Sequence, residues 1–206
     1  MSSAEPTTSI RTMNFLHKDG AAVEQYGDLR YPQDSEEARD ALIGLQKGFC
    51  AYSERHLKPL DSVEVEHFDP RKKNTPADGF NNWHAVIRWM NAHKFRRIDR
   101  YEPLPDLEFW TPDRVRYEHG LFVCDDGDIE TKNLIEFLSV NRQEVFEERS
   151  NHIERLRGIQ RRFGNEALIE VLRESPADLS FPTAIVAELG IPAFDLIDEL
   201  LESEQS

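Results

Sequence analysis

Cysteine is scarce in this chain, and its scarcity excludes one way of holding a fold together. The 206 residues include 2 cysteines, Cys50 and Cys124. Two cysteines so far apart do not make the disulfide framework that stabilises small secreted domains. We therefore expect a protein of the reducing cytoplasm that folds around an ordinary hydrophobic core.

Long apolar segments are also missing. No run approaches the roughly 18 residues that a membrane span requires, and the N-terminus lacks the apolar stretch of a signal peptide. We therefore expect no membrane partner. The sequence also lacks the Gly-x4-Gly-Lys-Ser/Thr loop that binds ATP phosphates, so ATP chemistry of that kind is not expected in these residues.

Positive charge is in short supply as well. Lys and Arg number 25 against 39 for Asp and Glu, which gives a net charge of −14. Because Lys and Arg supply most of the non-specific affinity for nucleic acid, the whole chain is not typical of a free-standing DNA-binding protein. Several positive residues nevertheless lie in one part of the sequence. They could form either an ordinary solvated surface or a site that binds phosphates. This basic group comprises Arg71, Lys72, Lys73, Lys94, Arg96, Arg97 and Arg100.

An acid–histidine pair stands inside this basic part. Apolar and charged residues alternate over 63–66, which predicts a short strand, and Asp69-Pro70 predicts the turn after it. Glu66 and His67 are thereby placed where the strand ends. Carboxylate and amide oxygens suit Mg²⁺, and an imidazole beside such a cation could take a proton from water. A strand-end acid beside a structural histidine is the plain alternative.

The residues that follow the pair carry a resemblance to a known family. Val-Glu-His-Phe at 65–68 is followed by Asn82, and then by Asn91 and Lys94 in the spacing Asn-x8-Asn-x2-Lys. Over about 49–149 the chain resembles the HNH (ββα-metal) endonucleases. It is most similar to the nuclease subunits of Septu and some retron anti-phage systems.

This resemblance implies both a site and a setting. By position, His67 would be the general base and Asn82 would brace the hairpin that holds it, while Glu66 and Asn91 would bind Mg²⁺ or Mn²⁺. The implied activity is hydrolysis of DNA as a defence effector, with an ABC-type ATPase as partner. From the basic group, the candidate contacts to nucleic acid are Lys72, Lys73, Lys94, Arg96 and Arg97. Two alternatives stay open: an inactive adaptor on the same scaffold, and an RNase or tRNA-cutting toxin.

The chain departs from the family at its zinc-binding positions. The family carries two Cys-x-x-Cys pairs, which hold a structural zinc ion in a cage of four sulfurs. Here the corresponding positions read Cys50-x-x-Ser53 and Ile87-x-x-Met90. One remaining thiolate does not hold zinc, so we expect no structural zinc and a small apolar cluster in its place.

The whole chain is predicted to be α+β, with a small HNH module embedded in a mainly helical protein. We divide it into an N-terminal helical segment (1–48), the nuclease module (49–100), a loop-rich connector with short strands (101–131) and a helical C-terminal region (132–206). Within the module, the spacing of apolar residues predicts a helical arm in 81–94.

Local signals outside the site predict further boundaries. Asp34 with Glu37 three residues later is typical of a capping box, which opens a helix. A strand is predicted at 120–124, with the acidic turn at 125–128 as a hairpin tip. Helices are predicted from Lys132 onward, with breaks near 139–142 and at Gly164 and a last helix over 193–202.

Overall fold

The fold is α+β, as the sequence predicts. The computed structural model describes residues 15–95 and 98–204. In these ranges, helices form most of the regular structure and the strands form two small antiparallel sheets of two strands each. The elements follow in the order α1 (Gly20–Gln25), α2 (Ser35–Leu45), β1 (Val63–His67), β2 (Trp83–Ile87), α3 (Arg88–Phe95), β3 (Arg116–Glu118), β4 (Leu121–Val123), α4 (Ile129–Leu138), α5 (Gln143–Glu174), α6 (Pro182–Leu189) and α7 (Ala193–Glu204).

The hairpin of β1 and β2 leads directly into α3, which gives a ββα unit. The strands pair antiparallel, with Glu66 opposite His84 and His67 opposite Trp83. The predicted strand is therefore confirmed, but the predicted helical arm is confirmed only from Arg88 onward. The apolar residues of 83–87 form β2 instead, because both faces of this strand are buried and its apolar positions do not alternate with polar ones.

The two faces of this hairpin pack on two different hydrophobic clusters. Trp83 and Ala85 of β2 belong to a small cluster with Ala38 and Leu42 of α2. Val86, on the opposite face, belongs to the main core. That core takes buried residues from all four predicted segments of the chain, such as Phe15, Phe49, Trp110 and Leu156. The ββα unit is thus held from both sides.

The helical C-terminal region follows the predicted boundaries closely. The predicted break near 139–142 lies between α4 and α5, where Ser139 takes a positive φ of 62°. Gly164 interrupts α5 with non-helical angles (φ 88°, ψ 175°), after which the helix resumes. Gly164 therefore makes a kink rather than the predicted end. The last helix, α7, begins at the predicted residue.

Two local predictions are wrong in detail. Asp34 does precede α2, but its carboxylate accepts a hydrogen bond from the Arg30 backbone N–H (2.8 Å) and makes none with the helix. The acidic turn at 125–128 is not a hairpin tip, because β3 and β4 are joined at His119-Gly120. Asp128 instead caps α4 by accepting from the Thr131 backbone N–H. For Asp34, the local backbone partner replaced the helix cap.

None of the helices in 15–95 and 98–204 combines the length and the apolar character that crossing a membrane requires.

Candidate functional site

The acid–histidine pair lines a cleft on the surface of the ββα unit. The cleft has a volume of about 700 Å³ and is bounded by β1, α2 and α3. Five of the predicted site residues line it, namely Glu66, His67, Lys73, Asn91 and Lys94. The predicted residues Asn82 and Lys72 lie outside its lining, and Arg96 and Arg97 lie outside the described residues.

Glu66 is buried, and both of its carboxylate oxygens have partners. Its Oε1 accepts from the Lys94 ammonium, and its Oε2 accepts from the Tyr52 hydroxyl. Burial and the Glu66 charge raise the pKa of Tyr52 well above its ordinary value, so the phenol keeps its proton and remains a donor. The predicted metal ligand is therefore held firmly, but its oxygens are shared with an internal cation.

Lys94 is as deeply buried as Glu66, with 2% of its surface exposed. Its Nζ also donates to the backbone carbonyls of His67 (3.0 Å) and Phe68 (2.7 Å). Burial lowers the pKa of Lys94, while Glu66 opposes this shift. A buried ammonium with three acceptors ties α3 to the end of β1. In this arrangement Lys94 is not presented to solvent, unlike the phosphate contact predicted for it.

A second lysine stands behind the same carboxylate. Lys18 lies 3.5 Å from Nε2 of His84, the residue that faces Glu66 across the hairpin. Burial lowers the pKa of Lys18 to about 8, against a smaller rise from the Glu66 charge. Burial also lowers the pKa of His84 well below its ordinary value, so this imidazole is neutral at pH 7. The carboxylate is thus the negative centre of a buried polar cluster.

The His67 imidazole is held by contacts with Asp78 and Tyr31. Its Nε2 is buried and lies 3.1 Å from Oδ2 of Asp78. The Tyr31 ring meets the imidazole edge-on, with the ring centroids 4.6 Å apart. Burial lowers the pKa of His67, an effect that Asp78 and Glu66 oppose in part. A neutral imidazole at pH 7 retains one nitrogen lone pair, which a general base requires.

Asn82 ties together the two ends of the loop that joins β1 to β2. Its Oδ1 accepts from the Asp69 backbone N–H (2.9 Å), and its Nδ2 donates to the Asp69 carbonyl (3.1 Å). The same amide also donates to Oδ1 of Asp78 (3.3 Å). These contacts place Asn82 where it braces the hairpin, and none of them turns its side chain toward the cleft.

Asn91 lies on the cleft side of α3. Its Nδ2 donates to Oε2 of Glu64 (2.8 Å), and Glu64 lies on the same face of β1 as Glu66. Within the residues that can be described, no group of three His, Cys, Asp or Glu side chains is arranged as a metal site. The cleft instead offers carboxylate oxygens of Glu64 and Glu66 and the amide oxygen of Asn91. Mg²⁺ keeps several waters and needs one or two carboxylates, so these donors fit it in type.

The cations around the cleft are fewer than the basic group suggests. Lys73 lines the cleft and stacks over Tyr31, with Nζ 4.7 Å from the ring centroid. Arg39 and Arg88 also line it, although neither belongs to the basic group. Arg88 lies 3.5 Å from Glu64, and its side chain is 72% exposed.

Several residues of this site were not predicted. Glu64 carried a usable signal, because it lies two residues before Glu66 and so shares its strand face. Arg88 also carried one, because it lies three residues before Asn91 and so shares its helix face. Asp78 and Tyr52 carried none, because each reaches the site from a loop or turn whose path the sequence does not reveal.

The positions of the family's zinc ligands also come together. One small cavity of about 250 Å³ is lined by Ser53, Ile87 and Met90. The fourth position, Cys50, is fully buried in the main core. Ile87 and Met90 pack with that core. Apolar contacts therefore occupy the place where the resemblance puts sulfur ligands, and the expected lack of zinc remains a prediction.

No protein-family description, curated protein or solved structure gives a significant match to this chain. The case for a function therefore rests on the residues of the cleft.

Proposed function

We propose that this protein is an HNH-type endonuclease that hydrolyses phosphodiester bonds, with DNA as the first candidate substrate. The observation that carries the proposal is the ββα unit, in which a strand-end histidine and an asparagine of the following helix line one cleft. His67 has a neutral imidazole at pH 7 and a second nitrogen turned away from Asp78. These are the properties of a general base for an attacking water.

The proposal assigns the remaining residues by what they contact. Glu66 and Asn91, with Glu64 beside them, would hold Mg²⁺ or Mn²⁺. Such a cation, when bound, stabilises negative charge on the phosphate. Asn82 keeps the loop after β1 closed, and Lys94 holds Glu66 and the last carbonyls of β1 in place. Lys73, Arg39 and Arg88 are the cations positioned to receive the phosphate backbone, whereas Lys72 lies outside the cleft lining.

A plasmid-cleavage assay tests this assignment. His67→Ala should lower the cleavage rate by about 10²–10⁴ with Mg²⁺ or Mn²⁺ present, which is the usual cost of losing a general base. His93→Ala is a suitable control, because His93 lies on α3 but outside the cleft lining. Cleavage by His67→Ala at the wild-type rate would exclude His67 as the base.

One observation favours a second candidate function. Both Glu66 oxygens are already bound, by Lys94 and Tyr52, and a divalent cation would have to share that carboxylate. An inactive adaptor that binds nucleic acid or a partner on the same scaffold fits this arrangement. The same assay distinguishes the two functions, since an adaptor leaves plasmid and tRNA intact with either metal. Cleavage of tRNA but not of plasmid would instead favour the RNase alternative.

Charge supports the proposal of a partner. The cleft lining contains the carboxylates of Glu36, Glu64 and Glu66 as well as its cations, so it offers little net positive potential. With about three phosphates neutralised, log affinity for duplex DNA would fall by about 2.7 for each tenfold rise in salt. We expect weak binding by the isolated chain at physiological salt. An ABC-type ATPase would supply the missing cationic surface.

Co-expression with a co-encoded ATPase tests the partnership. Gel filtration should show a complex, and plasmid cleavage by the pair should exceed cleavage by either component alone. Full activity of the isolated chain at physiological salt, with no complex formed, would contradict this part of the proposal and leave the nuclease assignment intact.

A further inference from the structure

Asp78 is the only acidic side chain that the described residues bring within ion-pair distance of His67. The two residues are 11 positions apart in sequence, and Asp78 lies in the loop between β1 and β2. Its side chain is 6% exposed. Asp78 does not line the cleft, so it approaches the imidazole from behind.

The orientation of this carboxylate is fixed by two donors. Trp83 Nε1 donates to Oδ1 of Asp78 (2.7 Å), and Asn82 Nδ2 donates to the same oxygen (3.3 Å). The other oxygen of Asp78, Oδ2, therefore faces His67. A side chain held by two donors and buried on this side has little freedom to turn away.

The contact between Asp78 and His67 favours one form of the imidazole. Oδ2 lies 3.1 Å from Nε2, although it stands off the line of the ring N–H bond, so the attraction is chiefly electrostatic. A lone pair on Nε2 would face a carboxylate oxygen at this distance and be repelled by it. A proton on Nε2 is therefore favoured, and in a neutral ring the lone pair then lies on Nδ1. Across the described ranges no side chain or carbonyl hydrogen-bonds to Nδ1.

We infer that Asp78 is a positioning residue, which keeps the proton of His67 on Nε2 and so leaves Nδ1 free to accept a proton in the cleft. The catalytic consequence rests on the proposed nuclease function, whereas the tautomer of His67 does not. The Tyr31 ring, edge-on to the imidazole, limits rotation that would turn Nε2 away from Asp78. Asp78 acts through His67 and does not itself touch a substrate in the cleft.

Nitrogen-15 NMR of the full chain measures the tautomer directly, without any assay of activity. In the wild-type protein at neutral pH, His67 should show a protonated Nε2 and an unprotonated Nδ1. The signal is assigned by its disappearance in His67→Gln. A wild-type His67 with its proton on Nδ1 would overturn the inference, even if the protein is an active nuclease.

The variant that separates positioning from structure is Asp78→Asn. Its amide oxygen can keep the bonds from Trp83 and Asn82, while its NH₂ group faces Nε2 and favours a lone pair there. The proton of His67 should therefore move to Nδ1. We expect kcat to fall by about 10²–10⁴, the range for loss of a general base, with little change in KM. Asp69→Asn is the matched control, since Asp69 lies in the same loop and its carboxylate contacts Arg71 instead.

Each outcome decides the inference. A shifted tautomer in Asp78→Asn, together with a fall in kcat that Asp69→Asn does not share, supports it. An unchanged tautomer, or a shifted tautomer with wild-type kcat, refutes it. If Asp78→Asn does not fold, the wild-type tautomer alone decides. If the wild-type protein cuts neither plasmid nor tRNA, the proposed function fails, and the NMR result still decides whether Asp78 sets the tautomer.

Discussion

Replacing Lys94 by methionine tests whether this lysine stabilises the site or contacts phosphate. Methionine keeps most of the apolar stem between the Phe68 and Phe137 rings, which lie 5.4 and 4.6 Å from Nζ. It removes the ammonium that pairs with Glu66 and that donates to the backbone carbonyls of His67 and Phe68. The variant therefore isolates the charge and its hydrogen bonds from the packing.

The expected cost is large for a single substitution. Removing one partner of a buried ion pair typically costs about 3–5 kcal/mol, because the other charge is left buried and uncompensated. The lost bonds to the His67 and Phe68 carbonyls add to this cost, while uptake of a proton by Glu66 limits it. We therefore expect Lys94→Met to lower the free energy of unfolding by about 3–5 kcal/mol.

Urea unfolding at pH 7 measures the effect, with Lys73→Met as the matched control. Lys73 is exposed and lines the same cleft, so its replacement should change stability by no more than about 0.5 kcal/mol. It should instead weaken binding to duplex DNA. The double variant Lys94→Met/Glu66→Gln should be less destabilised than the sum of its two single changes, because the partners are coupled.

Two results would refute this reasoning. A cost below about 1 kcal/mol for Lys94→Met would mean that the pair contributes little in solution. Additive effects of Lys94→Met and Glu66→Gln would mean that the two side chains do not interact. In either case Lys94 would not be a stabilising residue of the site.

Three further predictions concern the metal content and the stability of the chain. Elemental analysis of the purified protein should find no stoichiometric zinc, because Ser53, Ile87 and Met90 supply no thiolate; about one tightly held zinc ion per chain would contradict this. Asp128→Asn should cost about 1 kcal/mol at pH 7 after allowance for solvent screening. The Arg114 guanidinium and Thr131 lower the pKa of Asp128 well below its usual range, so its charge adds stability above about pH 4. That contribution is lost as the pH falls through the lowered pKa, and urea titrations at pH 7 and pH 2 should show the difference from wild type shrinking. Gly120→Ala should destabilise by at least about 1–2 kcal/mol, since Gly120 has a φ of 84° and a Cβ there would lie 2.6 Å from the Phe146 ring. Gly127→Ala, with open space around it, is the control, and equal stability of the two variants in thermal unfolding would be evidence against the strain.

The sequence determined the local framework of this protein. Alternation at 63–66 and the Asp-Pro turn placed the end of β1, and the apolar spacing and breakers of the C-terminal region placed α4, α5 and α7. These signals are readable because each depends on neighbours within a few residues. The segment that forms β2 was harder to predict. Because this strand is buried on both faces, its sequence has no alternation of apolar and polar residues to distinguish it from a helix.

Only the tertiary structure decided how the site residues are used. Glu66 and Lys94 are 28 positions apart in sequence, yet their side chains are in contact. Both are buried, although an unpaired Glu or Lys is rarely found in a protein interior. Asp78 reaches His67 only because Asn82 and Trp83 fold the intervening loop back onto the hairpin. The physical reason is that burial and long-range contacts set the partners of a charged group, and a linear pattern of residues contains neither.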